Sequence, residues 1–154
     1  MKLVDANVLL YAVNRDARHH DRSRRWLDGA LSGSETVAFA WLPLLAFLRL
    51  VTKPDLFPSP LTTDEALDRV DAWLAAPLAV VVEPGVDHAR LVRRLLAPVE
   101  TGGNLVSDAH LAALAVEHRC EIVSFDRDFD RFDAVKRVEP PAGRGSVSAS
   151  GATG

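Results

Sequence analysis

The apolar positions of the chain form two kinds of run that alternate from one end to the other. Short runs at residues 2–4, 36–40, 79–82 and 121–125 predict β-strands, and residues 135–138 predict a short fifth. Between them the apolar side chains recur at helical spacing. Residues 8–13 make an apolar helical turn, and residues 20–31 place Trp26, Leu27, Ala30 and Leu31 on one face. Residues 41–52 read as a buried helix, with Pro43 tolerated in a first turn whose amide has no helical partner. Thr62 and Glu65 have capping-box spacing for a helix carrying Ala66, Leu67, Val70, Trp73 and Leu74. Further helices are expected over residues 86–96 and 104–119. The run 79–82 lacks polar alternation and so predicts a strand covered on both faces.

Strands that alternate with helices predict an α/β fold: a mostly parallel sheet of about five strands, joined by right-handed crossovers, with helices on both faces. In such sheets the ligand site lies beyond the carboxyl ends of the strands, where the strand order reverses. The expected domain spans residues 1–139. Residues 140–154, rich in Gly, Ser, Ala and Pro without periodicity, read as a disordered tail. Internal repeats are absent.

Composition narrows the class. The 154 residues are 48% hydrophobic and 25% charged, enough for a single domain with its own core. With 18 basic against 21 acidic residues, an overall basic coat for nucleic acid is excluded, although a local basic patch is not. The lone Cys120 excludes a disulfide framework and a cysteine-built zinc site, and predicts a cytoplasmic protein. The longest apolar run, residues 37–48, is too short to span a bilayer, and Asp5 arrives too early for a secretory signal. No membrane partner is expected.

The carboxylates carry the chemistry. Asp5 follows the first predicted strand and Asp126 the fourth, so both project from the edge where ligands bind. Asp108 falls near the opening turn of the helix introduced by Gly102, Gly103 and Asn104, and Asp128 lies two residues past Asp126. Two unit charges about 4 Å apart repel by roughly 4 kcal/mol at a surface-like dielectric, so three or four acids in one place call for a counter-charge. A hard divalent cation, Mg²⁺ or Mn²⁺, prefers such oxygens and suits metal-assisted phosphodiester hydrolysis. Each acid also has an ordinary role open to it: Asp108 favouring the helix dipole, Asp126 and Asp128 as turn formers.

Arg15, Arg18, Arg22, Arg24 and Arg25, with His19 and His20 among them, are either a phosphate-holding patch near Asp5 or a solvated helix face balanced by Asp16, Asp21 and Asp28. Arg90, Arg93 and Arg94 read as surface. His19, His20 and His110 lack the spacing of a zinc site. Asn7, Thr101 and Asn104 are candidates for bonding to a metal-held water or phosphate, with helix capping the alternative for Asn104. Trp26, Trp41 and Trp73 read as core or dimer interface.

At this point the chain resembles PIN-domain proteins, and among them the VapC-type toxin ribonucleases of bacterial toxin–antitoxin pairs. The resemblance rests on the segments at residues 3–12, 47–54, 103–115 and 124–129, which occur in the family's order and cover residues 2 to 139. It implies a PIN fold, Mg²⁺- or Mn²⁺-dependent endoribonuclease activity on an RNA substrate, a cognate VapB-like antitoxin and a homodimer. It assigns Asp5, Asp108, Asp126 and Asp128 to the catalytic site, with Asp5, Asp108 and Asp126 as metal ligands. Ala46 departs from the pattern, because many PIN domains carry Glu there; this bears on a second metal ion, for which Glu100 is a candidate substitute ligand.

Two other classes remain open to the sequence. An Asp-nucleophile phosphatase would expect a second Asp where Asn7 stands. A catalytically weakened PIN-like RNA-binding module has Ala46 as its only hint. Dinucleotide binding is disfavoured, since no Gly-x-Gly-x-x-Gly follows the first strand.

Overall fold

The computed structural model describes residues 1–57, 59–99 and 103–142. Its centre is β1 (Lys2–Val4), flanked by β2 (Val37–Phe39) on one side and β4 (Glu121–Val123) on the other. β3 (Ala79–Val81) and β5 (Arg137–Val138) form the edges, giving the order β3-β2-β1-β4-β5 with every pairing parallel. The chain builds outward from β1 through β2 to β3, then crosses back to place β4 on the opposite side. Strand order therefore reverses between β1 and β4.

Side chains alternate across a strand, and here the two sides enter two separate cores. Leu3, Ala38 and Ile122 face one, filled by α5 (His88–Leu96) and α6 (Leu105–His118). Val4, Val37, Phe39 and Val123 face the other, filled by α1 (Ala6–Val13), α2 (His20–Leu31), α3 (Trp41–Val51) and α4 (Thr63–Leu74). In that second core Phe47 meets Trp73 edge-on at 4.8 Å between ring centroids. The capping box forms at the start of α4: the Glu65 amide donates to Thr62 Oγ1 at 3.2 Å, and the Thr62 amide to Glu65 Oε2 at 2.8 Å. Pro43 is buried in the first turn of α3, as the sequence predicts.

Three expectations need correcting. β3 is not covered on both faces: Val80 is 38% and Val81 40% exposed, because β3 is an edge strand, whereas Val82 beyond it is buried. The helix over residues 41–52 is not buried all round: Trp41 stands 47% exposed beside exposed Leu42 and Leu45, while Leu44, Phe47 and Val51 turn inward. β4 ends at Val123, so Ser124 and Phe125 separate the strand from Asp126. The tail expected from residue 140 lies, from residue 143 on, outside the described residues. Among the described residues no helix is long and apolar enough to cross a membrane.

Candidate metal centre

The pairing Val4↔Val123 brings the ends of β1 and β4 side by side at the switch point. Asp5 leaves β1 there with extended backbone, and its amide donates to Val123 O at 3.1 Å. As N-cap of α1 its Oδ1 accepts the Ala6 amide at 2.7 Å. Its Oδ2 accepts the Ser124 hydroxyl at 2.6 Å and the Asn7 Nδ2 at 2.8 Å. Burial nonetheless pushes the Asp5 carboxyl above its ordinary range; the Ser124 and Ala6 hydrogen bonds oppose the shift, and the nearby Asp126 charge adds to it.

Ser124 is fully buried and uses its whole bonding capacity. Its hydroxyl donates to Asp5 and accepts from Asn7 Nδ2 and from the Asp126 amide, both at 2.9 Å. Asn7 Oδ1 in turn accepts the Phe125 amide at 3.3 Å. The result is a closed set of bonds that fixes the backbone of residues 124–126 against the start of α1. Asp126 then caps the short 3₁₀ turn Arg127–Arg131, its Oδ1 accepting the Asp128 amide at 2.9 Å. Fully buried Phe129 anchors that turn from below.

The third acid arrives on α6. Gly103, with φ of +25°, turns the chain into the helix, and Asp108 follows in the first turn. One oxygen each from Asp108, Asp126 and Asp128 lies within 4.8 Å of the other two. The Asp108 carboxyl is pushed up to about 6, first by burial and then by the charges of Asp126, Asp5 and Asp128. The other three predicted acids thus all act on Asp108. Asp108, Asp126 and Asp128 form the cluster, and Asp5 stands beside it, outside the three-oxygen group, tied into the bonds that position Asp126.

The donor set fits a hard divalent cation: every candidate ligand is a carboxylate oxygen, with no sulfur or imidazole among them. A cation would also relieve the repulsion that raises Asp108. Arg131 approaches Asp128 at 3.8 Å, at the solvent side of the cluster.

Other candidates find different places. Asn7 bonds to the protein backbone and to Asp5 and Ser124 rather than standing free for a phosphate. Asn104 occupies the N-cap position of α6 without a side-chain cap bond. Glu100 and Thr101 lie outside the described residues. His19 stacks on Phe125 with ring centroids 4.3 Å apart, and His20 Nδ1 bonds Tyr11 O at 2.8 Å. His110 Nδ1 meets His88 Nε2 at 2.8 Å, and His88 Nδ1 meets Glu117 Oε2 at 2.8 Å, a polar clamp between α5 and α6. Arg90, Arg93 and Arg94 are exposed, as read from the sequence. The sequence reading missed Ser124. Its signal was available as the one hydroxyl among the apolar residues of 122–125.

Comparison with known proteins identifies the family. The PIN domain family matches residues 2–135. Ribonuclease VapC37 of Mycobacterium tuberculosis is 63% identical over 142 residues, covering 92% of this chain and 99% of its own. Ribonuclease VapC31 of the same species is 40% identical over 141 residues, with 92% and 99% covered. Among solved structures, VapBC2 from Rickettsia felis bound to a promoter DNA fragment superposes with a TM-score of 0.66 at 17% identity, covering 90% of this chain and 97% of that one. Mycobacterium tuberculosis VapC20, described as a sarcin-ricin loop cleaving toxin, superposes with a TM-score of 0.65 at 16% identity, covering 88% and 99%. These two share the fold. The 63% identity across nearly the whole of both chains goes further: the chain belongs to the VapC ribonucleases of the PIN-domain family.

Proposed function

We propose that this chain is the toxin of a type II, VapBC-like toxin–antitoxin pair, a cytoplasmic endoribonuclease that hydrolyses RNA phosphodiester bonds with Mg²⁺ or Mn²⁺. The observation that carries this reading is the convergence of Asp108, Asp126 and Asp128 oxygens within 4.8 Å of one another at the switch point, beside Asp5. When bound, a divalent cation supplies a Lewis acid that activates water and offsets charge growing on the phosphate oxygens. The chain's own groups hold that arrangement: Asp108, Asp126 and Asp128 present oxygens from two elements, and Asp5 keeps the Asp126 backbone in register through Ser124. No side chain needs to act as covalent nucleophile.

A cognate VapB-like antitoxin and a homodimer complete the proposal. The exposed apolar side of α3, with Trp41, Leu42 and Leu45, supports the homodimer. The test of activity is incubation of the purified protein with total bacterial RNA, with Mg²⁺, Mn²⁺ or chelator, and mapping of new 5′ ends. Metal-dependent ends at defined positions are expected. RNA bound equally with and without metal, and never cut, would instead establish a binding module.

A further inference from the structure

The arginines near the end of α1 do not act as one patch. Arg22 is engaged by Glu139 and the Pro140 carbonyl and lies over the Phe125 ring, and Arg25 bonds the Asp21 carbonyl. Arg15 and Arg24 do something else. Together with His20 from the first turn of α2 and Arg69 from α4, they line a cavity of about 200 Å³ floored by Trp73, with Asp28 as its one acid. Arg69 lies far from the others in sequence, among the acids Asp64, Glu65, Asp68 and Asp71.

The balance of charge favours an anion. Three arginines from three separate segments line the cavity with one acid, whose pairing with Arg24 is an exposed 3.7 Å contact, while Arg69 also lies near Glu65 and Asp68 along α4. Among the described residues the arginine ion pairs involve Arg22, Arg24, Arg90, Arg131 and Arg137, and neither Arg15 nor Arg69. Guanidinium is the side chain whose planar fork matches phosphate oxygens. The cavity is polar-walled and large enough for one phosphoryl group with part of its sugar.

Its position ties it to the acidic centre. His20, in the cavity wall, bonds the Tyr11 carbonyl; the Tyr11 ring packs on Phe125 at 5.5 Å; and Phe125 precedes Asp126 in the chain. These contacts link the cavity wall to the segment of chain that carries Asp126.

We infer that the Arg15–Arg24–Arg69 cavity holds a backbone phosphate of the single-stranded RNA substrate, downstream or upstream of the cut, and so helps to select and orient the strand. This rests on the nuclease reading above but makes a separate demand, that affinity depend on groups remote from the acids.

The test measures binding of a fluorescent, mixed-sequence single-stranded oligoribonucleotide in chelator, where cleavage does not deplete the probe. It compares the wild type with Arg15→Gln, Arg69→Gln, the double variant and Arg90→Gln on α5. Arg15, Arg69 and Arg90 are all exposed, so these variants keep the fold, which unchanged thermal melting will establish. Losing one phosphate contact should lower the slope of log affinity against log salt by about 0.7 and weaken low-salt binding by roughly tenfold in the double variant, with Arg90→Gln unchanged. Equal affinity and slope in the double variant and the wild type would overturn the assignment. So would calorimetry in which inorganic phosphate binds the wild type and not the double variant while RNA binding is unaltered, because the cavity would then serve a free anion. Failure of the nuclease reading looks different: no RNA is cut in Mg²⁺ or Mn²⁺, yet oligoribonucleotide binding still depends on Arg15 and Arg69.

Discussion

The Ser124 hydroxyl donates to Asp5 Oδ2 at 2.6 Å and joins the ends of two neighbouring parallel strands through one part-buried bond. Because the same oxygen accepts the Asp126 amide, the position of one acid depends on the other. The fold and the chemistry meet at this residue.

Ser124→Ala should therefore act twice. It leaves the Asp126 amide and one Asn7 N–H without their acceptor and the Asp5 Oδ2 without its donor, a burial cost of about 1–3 kcal/mol. Urea unfolding is expected to show that loss. Cleavage should fall further than stability explains, measured under conditions where the variant is fully folded. Ser124→Thr, which keeps the hydroxyl, should retain more of the cleavage than Ala.

Asp108→Asn should abolish cleavage while leaving the fold intact, as read by circular dichroism. Its pH signature follows from the carboxyl being held at about 6 in the metal-free fold. A carboxyl with a folded pKa above its unfolded value binds its proton more tightly when folded. Its contribution therefore stabilises the metal-free protein as pH falls through 6 towards 4, and is lost as pH rises. Melting temperature in chelator should rise over that window in the wild type relative to Asp108→Asn. Added divalent metal, which favours the ionised form, should reverse the trend and bind more tightly above pH 6 than below it.

Phe129 is fully buried beneath the 3₁₀ turn that carries Asp126 and Asp128. Phe129→Ala should cost about 3–5 kcal/mol in denaturant unfolding. Metal affinity should weaken with it, since the turn loses the anchor that holds both carboxylates towards Asp108.

The homodimer reading makes its own demand on α3. Leu45 is 56% exposed, so Leu45→Glu should leave the monomer fold unchanged while shifting molar mass by light scattering from dimer to monomer. Dimers of unaltered stability in that variant would place the interface elsewhere.

Much of this was legible in the sequence. The strand and helix runs and the capping box at Thr62 follow from local pattern, because each depends on residues close together in the chain, and the shared edge of Asp5 and Asp126 follows from both leaving parallel strands at the same end. What escaped depends on contacts between distant segments. The run at residues 79–82 looks like a buried strand, yet nothing in its own residues tells that no strand pairs beyond it. Trp41 has the composition of core and the exposure of a surface. Arg69 joins Arg15 and Arg24 only once α4 packs beside α2. Which three acids draw closest was also not readable: Asp128, not Asp5, joins Asp108 and Asp126 in the three-oxygen cluster, and Asp5 stands beside it with its bonds to Ser124 and Asn7.

The central claim is that these carboxylates share one divalent cation, and titration of the protein with Mn²⁺, followed by electron paramagnetic resonance of the free ion, tests it most directly. Saturable binding by the wild type that is lost in Asp108→Asn and in Asp126→Asn is the expected result. Identical Mn²⁺ uptake by all three folded proteins would contradict it.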